Sequence, residues 1–221
     1  MDARRSVLIE IAAIGIATIV FIAAFRGRPA YVDFVLAAIA VALIVASIPR
    51  TRRFSDASPI TGDPKTHNRS AWLFVGTFTA VALVALAALG TLYAFHEDAS
   101  ATARFENWHW LLAMVLYFPW ALLQQSIFQY YLFGRLLRVV PLAVAIAITA
   151  IVFSFVHFPR WPVMIVVLIA GSVWTFAYFR FRRLLPLAVS HAILGASLHY
   201  WVFGDDLLSA WLGLLSVRLG L

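Results

Sequence analysis

AWLFVGTFTAVALVALAALGTLYAF, residues 71–95, runs from Ala71 to Phe95 without a single charge. As a helix rising 1.5 Å per residue it would reach roughly 37 Å, more than the ~30 Å hydrocarbon core of a bilayer. A helix on the surface of a soluble domain would show a polar face over that length, and this one has none. Comparable apolar runs occur at Val7–Phe25, Phe34–Ile48, Trp108–Phe133, Pro141–Phe158, Pro162–Phe179 and Leu184–Phe203. An eighth, Leu207–Leu219, is short for a crossing and suits the membrane interface. The whole chain agrees: 63% of its residues are hydrophobic, 12% are charged, and its mean hydropathy is +0.91. A soluble fold is excluded. The expected fold is all-α, a polytopic helical membrane protein with seven transmembrane helices, or eight if the last run spans.

The net charge of +7 comes from arginine with a single lysine. In a membrane protein this marks cytoplasmic loops rather than nucleic acid binding, and no nucleic acid partner is expected. With the N-terminus inside, Arg4, Arg5, Arg50, Arg52, Arg53, Lys65, Arg69, Arg135, Arg138, Arg180, Arg182, Arg183 and Arg218 are cytoplasmic. Only Arg26, Arg28, Arg104 and Arg160 then face out, with Glu97, Asp98, Glu106, Asp205 and Asp206 beside them. That asymmetry predicts a multi-pass protein of the cell membrane, inner or plasma, with a cytoplasmic N-terminus. The first run follows Arg4 and Arg5 as a signal peptide would, but it is too long and carries Glu10, so a retained helix is expected. With no cysteine, the chain has no disulfide, thiolate nucleophile or Cys-ligated metal.

Pro49–Arg69 is polar and holds Pro59, Gly62 and Pro64, the composition of a cytoplasmic linker. It divides the chain into a two-helix segment (1–49), the linker (50–70), a third helix with its outer loop (71–107) and a core with the C-terminal segment (108–221). Chemistry is expected in the last part, because strongly polar side chains lie within its apolar runs and each is costly there. Gln124, Gln125 and Gln129 sit in the fourth run beyond Pro119, followed by Tyr130 and Tyr131; Gln125 and Gln129, four apart, share a helix face. Phe153 and His157 end the fifth run, and His191 lies inside the seventh with Gly195 one turn on and His199 two turns on. From the cytoplasmic boundary, helix rise places Gln124 about 15 Å deep, His191 about 12 Å and His157 about 24 Å. Taken alone, the amides also read as interhelical hydrogen-bond glue. His157 also reads as an interfacial residue. Glu106 with His109, and His96 with Glu97 and Asp98, read as solvated outer-loop charge or a surface cation site.

An amide or acid pair in one helix, FxxxH ending the next and a histidine early in the helix after an intervening span resemble the CPBP intramembrane proteases. That family includes the CAAX prenyl endopeptidases and bacteriocin-processing proteins. The resemblance covers roughly Trp108 to Phe203. Against the family pattern of EExxxR, FxxxH and HxxxN or HxxxD, Gln124 and Gln125 stand for the glutamates and Gln129 for the arginine. Phe153 to His157 is intact, and His191 is kept with Gly195 in the place of Asn or Asp. The resemblance implies an endopeptidase acting on a membrane-anchored or hydrophobic peptide. Gln124, Gln125, His157 and His191 would be catalytic, and Gln129, Tyr131, Phe153 and Gly195 supporting. No organic cofactor is implied; a divalent metal such as zinc, if one takes part, would draw on His157 and His191. The expected partners are the lipid bilayer and a lipidated or transmembrane peptide.

The glutamines alter the chemistry. A carboxamide has no basic lone pair at neutral pH, so it holds a water without deprotonating it. Loss of a general base costs on the order of 10² to 10⁴ in rate. A neutral imidazole, which titrates near neutrality, is the remaining candidate base, with Gln124 and Gln125 orienting water or steadying an oxyanion. The alternative is a catalytically inactive CPBP-fold protein, a pseudoenzyme that binds a lipidated or transmembrane partner. A small transporter fits less well, since no inverted repeat is visible.

Overall fold

The computed structural model describes Ile9, Ala12, residues 64–96 and 101–209, and Leu212. Most of the first two apolar runs, Glu10, most of the linker, Glu97, Asp98 and most of the last segment lie outside the described residues. Every regular element among the described residues is helical: α1 (Pro64–His96), α2 (Ala101–Glu106), α3 (His109–Gln125), a π-helical segment π1 (Ser126–Phe133), α4 (Gly134–Leu136), α5 (Leu142–Phe155), α6 (Trp161–Phe181), α7 (Leu185–Ser197) and a second π-helical segment π2 (Leu198–Phe203).

Three helical stretches are long and apolar enough to cross a membrane: His67–His96, His109–Leu136 and Trp161–Phe181. The chain is a helical membrane protein. In α1 the exposed Leu73, Val81, Val84, Leu92 and Phe95 recur at helical spacing on one face, while Ala71, Val75, Thr79, Leu86, Gly90 and Ala94 form the buried face. Such a stripe would drive aggregation in water, and in lipid it is the solvated side. The fifth run is helical only over Leu142–Phe155, and the seventh combines α7 with π2. Pro119 lies inside α3 without ending it. The helix changes winding at Ser126, so the irregular backbone coincides with the glutamines rather than with the proline.

The described residues form two compact units. One is Leu123–Leu184, in which α5 and α6 are consecutive helices packed on each other and on π1. Small residues permit the approach: Ala150 and Gly171 meet at the contact, where a Cβ on Gly171 would come 3.3 Å from Phe153 Cδ1. The Ser154 hydroxyl donates to the Met164 carbonyl at 2.7 Å, fastening α5 to α6. Phe153 is fully buried, stacked on Phe128 at 4.4 Å between ring centroids and tilted against Trp174 at 6.1 Å. Arg182, in the left-handed conformation (φ 53°), ends α6, and the cations at this end complement the helix dipole.

The other unit joins α1, α2, α3 as far as Leu122, α7 and π2. The hydroxyls of Thr79 on α1 and Ser190 on α7 hydrogen-bond at 2.7 Å. Arg104 on α2 donates to the Val202 carbonyl at 2.6 Å, one of the groups that the end of a helix leaves without an intrahelical donor. Gly204 (φ 70°) turns the chain beside the same guanidinium. On α1, Gly90 lies so close to the Trp201 carbonyl that a Cβ there would collide with it, whereas Gly76 faces open space. Gly90→Ala is therefore expected to destabilise the fold by about 1–3 kcal/mol, as overpacking does. Gly76→Ala should leave stability unchanged or raise it by about 0.5–1 kcal/mol. Thermal unfolding of the two variants in detergent tests the contrast.

Candidate functional site

The glutamines and His157 belong to the Leu123–Leu184 unit. Gln125 is the last residue of α3, Gln129 lies in π1, and both are fully buried; Gln124 is half-buried. Neither amide atom of Gln129 has a hydrogen-bond partner among the described residues. A buried polar group without a partner costs about 1–3 kcal/mol and calls for an explanation, often a water or a functional role. π segments are rare and recur at functional sites. This one carries Gln129 and Tyr131, whose ring lies 5.4 Å from the buried Arg135 guanidinium.

His157 follows α5 by two residues and is half-buried. Its Nδ1 lies 3.0 Å from the Phe153 carbonyl. A carbonyl only accepts, so Nδ1 carries the proton and the lone pair of the neutral ring is on Nε2. The spacing of FxxxH thus has a local physical meaning. Phe153, wedged between Phe128 and Trp174, fixes the helix end, and its carbonyl one turn back orients the imidazole.

His191 lies in the other unit, on α7, and is 3% exposed. Tyr117 of α3 meets it edge-on: the ring centroids are 5.5 Å apart at 90°, and the phenol oxygen is 3.3 Å from Nε2. Gly195 stands one turn beyond His191, against the same tyrosine ring. Tyr117 was not marked by the sequence reading. Its signal was weak: a tyrosine in an apolar run, two turns before Gln124 on the same helix.

His109 pairs with Asp206. Its Nδ1 lies 2.6 Å from Asp206 Oδ2, and that carboxylate also accepts from the Tyr200 hydroxyl (2.9 Å), the Ser209 backbone (3.0 Å) and the Ser209 hydroxyl (2.9 Å). Ser209 and Asp206 both approach Nδ1 of His109, so the trio lacks the opposed geometry of a nucleophile, base and orienting acid. It clasps the start of α3 to the residues after π2. His199 likewise pairs with Asp205, at 3.1 Å.

Burial raises the Asp206 pKa, but the hydrogen bonds from Ser209, His109 and Tyr200 outweigh it and hold the carboxyl well below the usual carboxylate range. A folded-state pKa lowered in this way stabilises the protein above the ordinary carboxylate pKa, near pH 4, and is lost as the pH falls toward the folded value. Asp206→Asn should therefore melt below the native protein at pH 7. The gap should narrow as the medium is acidified, which a thermal unfolding series against pH will follow.

No group of three His, Cys, Asp or Glu side chains comes together among the described residues. A catalytic zinc site needs three such protein ligands, so this donor set does not fit one.

Residues 105–197 match the family described as Type II CAAX prenyl endopeptidase Rce1-like. The matched stretch contains Gln124, Gln125, Gln129, Phe153, His157, His191 and Gly195. The resemblance to the CPBP proteases therefore holds over this core. No curated protein and no solved structure matches the chain.

Proposed function

From a core of the Rce1-like type, residues 105–197, we propose that the chain is an intramembrane endopeptidase with His157 as its general base, acting on a membrane-anchored or hydrophobic peptide. The observation that carries this reading is the hydrogen bond from His157 Nδ1 to the Phe153 carbonyl, which leaves the basic lone pair on Nε2. Where the family pattern has a glutamate, this chain has only carboxamides, so proton transfer falls to an imidazole.

In the proposed reaction His157 Nε2 takes a proton from water as the oxygen adds to the peptide carbonyl carbon. The tetrahedral intermediate collapses with cleavage of the C–N bond, and the imidazolium returns the proton to the leaving amine. The carboxamides of Gln124 and Gln125 orient the water and donate to the oxyanion. The buried Gln129 amide holds a further water, consistent with its lack of a partner among the described residues.

In a strain lacking the native protein, the uncleaved substrate should accumulate among membrane peptides. Native protein should restore its cleavage, while His157→Ala should lower it by at least about 10²-fold. Full cleavage by that variant, read by mass spectrometry of the new termini, would leave the partner-binding alternative.

The charge asymmetry supports a cell-membrane location with the N-terminus in the cytoplasm. Because the chain has no cysteine, single reporters are clean. Asn68 and Thr102 are exposed beyond opposite ends of the apolar run in α1. Thr102→Cys should react with an impermeant maleimide on intact cells, and Asn68→Cys only after the membrane is opened; the reverse pattern contradicts the orientation.

A further inference from the structure

We propose that Tyr117 is the positioning residue of His191: its phenol donates to Nε2 and fixes the imidazole proton on Nδ1, in a slot vacated by the missing side chain of Gly195.

Helix geometry defines the slot. Positions four apart lie on one face, so a side chain at 195 would stand over the His191 ring. Gly195 supplies none, although glycine inside a helix is destabilising relative to alanine and an internal glycine usually has a packing reason. Here the reason is visible. A Cβ at 195 would come 3.0 Å from Tyr117 Cε1, 3.7 Å from Cδ1 and 3.9 Å from Cζ. The tyrosine ring fills the space that a side chain at 195 would take.

The direction of the hydrogen bond follows from the two groups. Imidazole, with a reference pKa near 6.5, is the stronger base, and a phenol with a reference value near 10 is a good donor. The phenol therefore donates to Nε2 across the 3.3 Å separation, and the neutral ring carries its proton on Nδ1. His191 then presents an N–H donor, suited to developing negative charge, rather than a basic lone pair. This catalytic meaning rests on the protease reading; the positioning does not.

The test is histidine-selective ¹⁵N NMR of the full chain in nanodiscs, with the His191 signals assigned through His191→Gln. In the native protein the Nδ1–H tautomer of His191 should exceed the other at least tenfold, and Tyr117→Phe, which keeps the ring, should abolish that excess. Gly195→Ala keeps the phenol but presses on the ring, and should reduce the excess severalfold. Tyr117→Ala combined with Gly195→Asn should restore it, because an amide one turn from His191 takes over as donor. An unchanged tautomer ratio in both folded Tyr117→Phe and Gly195→Ala overturns the proposal, as does failure of the double variant to regain it. If the ratio responds as expected but native protein cleaves no peptide, the positioning stands and the protease reading falls.

Discussion

Polar atoms inside hydrocarbon must find their partners within the protein, and that constraint orders the described helices. Several hydroxyls meet it at no distance: Thr91, Thr149, Ser172 and Thr175 return their protons to the carbonyl four residues back, and Ser197 does the same. Others turn the requirement into tertiary structure, as Thr79 does with Ser190 and Ser154 with Met164. His157 bonds its own helix, and in doing so its ring is given one tautomer. Gln129 alone among the buried amides here has neither end matched by a partner among the described residues, and it sits where the helix leaves α geometry.

Much of this was legible in the residues. The charge-free run at 71–95 is a membrane-length helix, and the arginines flank the apolar runs rather than interrupt them. The order of glutamines, FxxxH and histidine pointed to the same core that the Rce1-like match covers. The departures were hidden for physical reasons. Pro119 reads as a break, yet α3 runs through it and the winding changes only at Ser126. Residues that meet across long sequence separations leave no periodic trace, so neither the Tyr117–His191 contact nor the His109–Asp206 clasp could be read from spacing.

Where the family pattern has two glutamates and an arginine, this chain carries the neutral Gln124, Gln125 and Gln129. Glutamine retains the size of glutamate and its capacity to orient water, and removes the cost of a buried charge. Gly195 removes a side chain beside His191, and the ring of Tyr117 takes its place. Two of the imidazoles have different surroundings: His157 is bonded to a carbonyl through Nδ1, and His191 meets a phenol at Nε2.

Activation of water by the His157 imidazole to split a peptide bond is open to measurement by incubating purified protein in nanodiscs with an extract of membrane peptides in H₂¹⁸O and reading new C-termini by mass spectrometry. Native protein should form new carboxyl groups carrying one ¹⁸O, and His157→Gln none. Labelled termini formed equally by His157→Gln, or none formed by native protein, would contradict it.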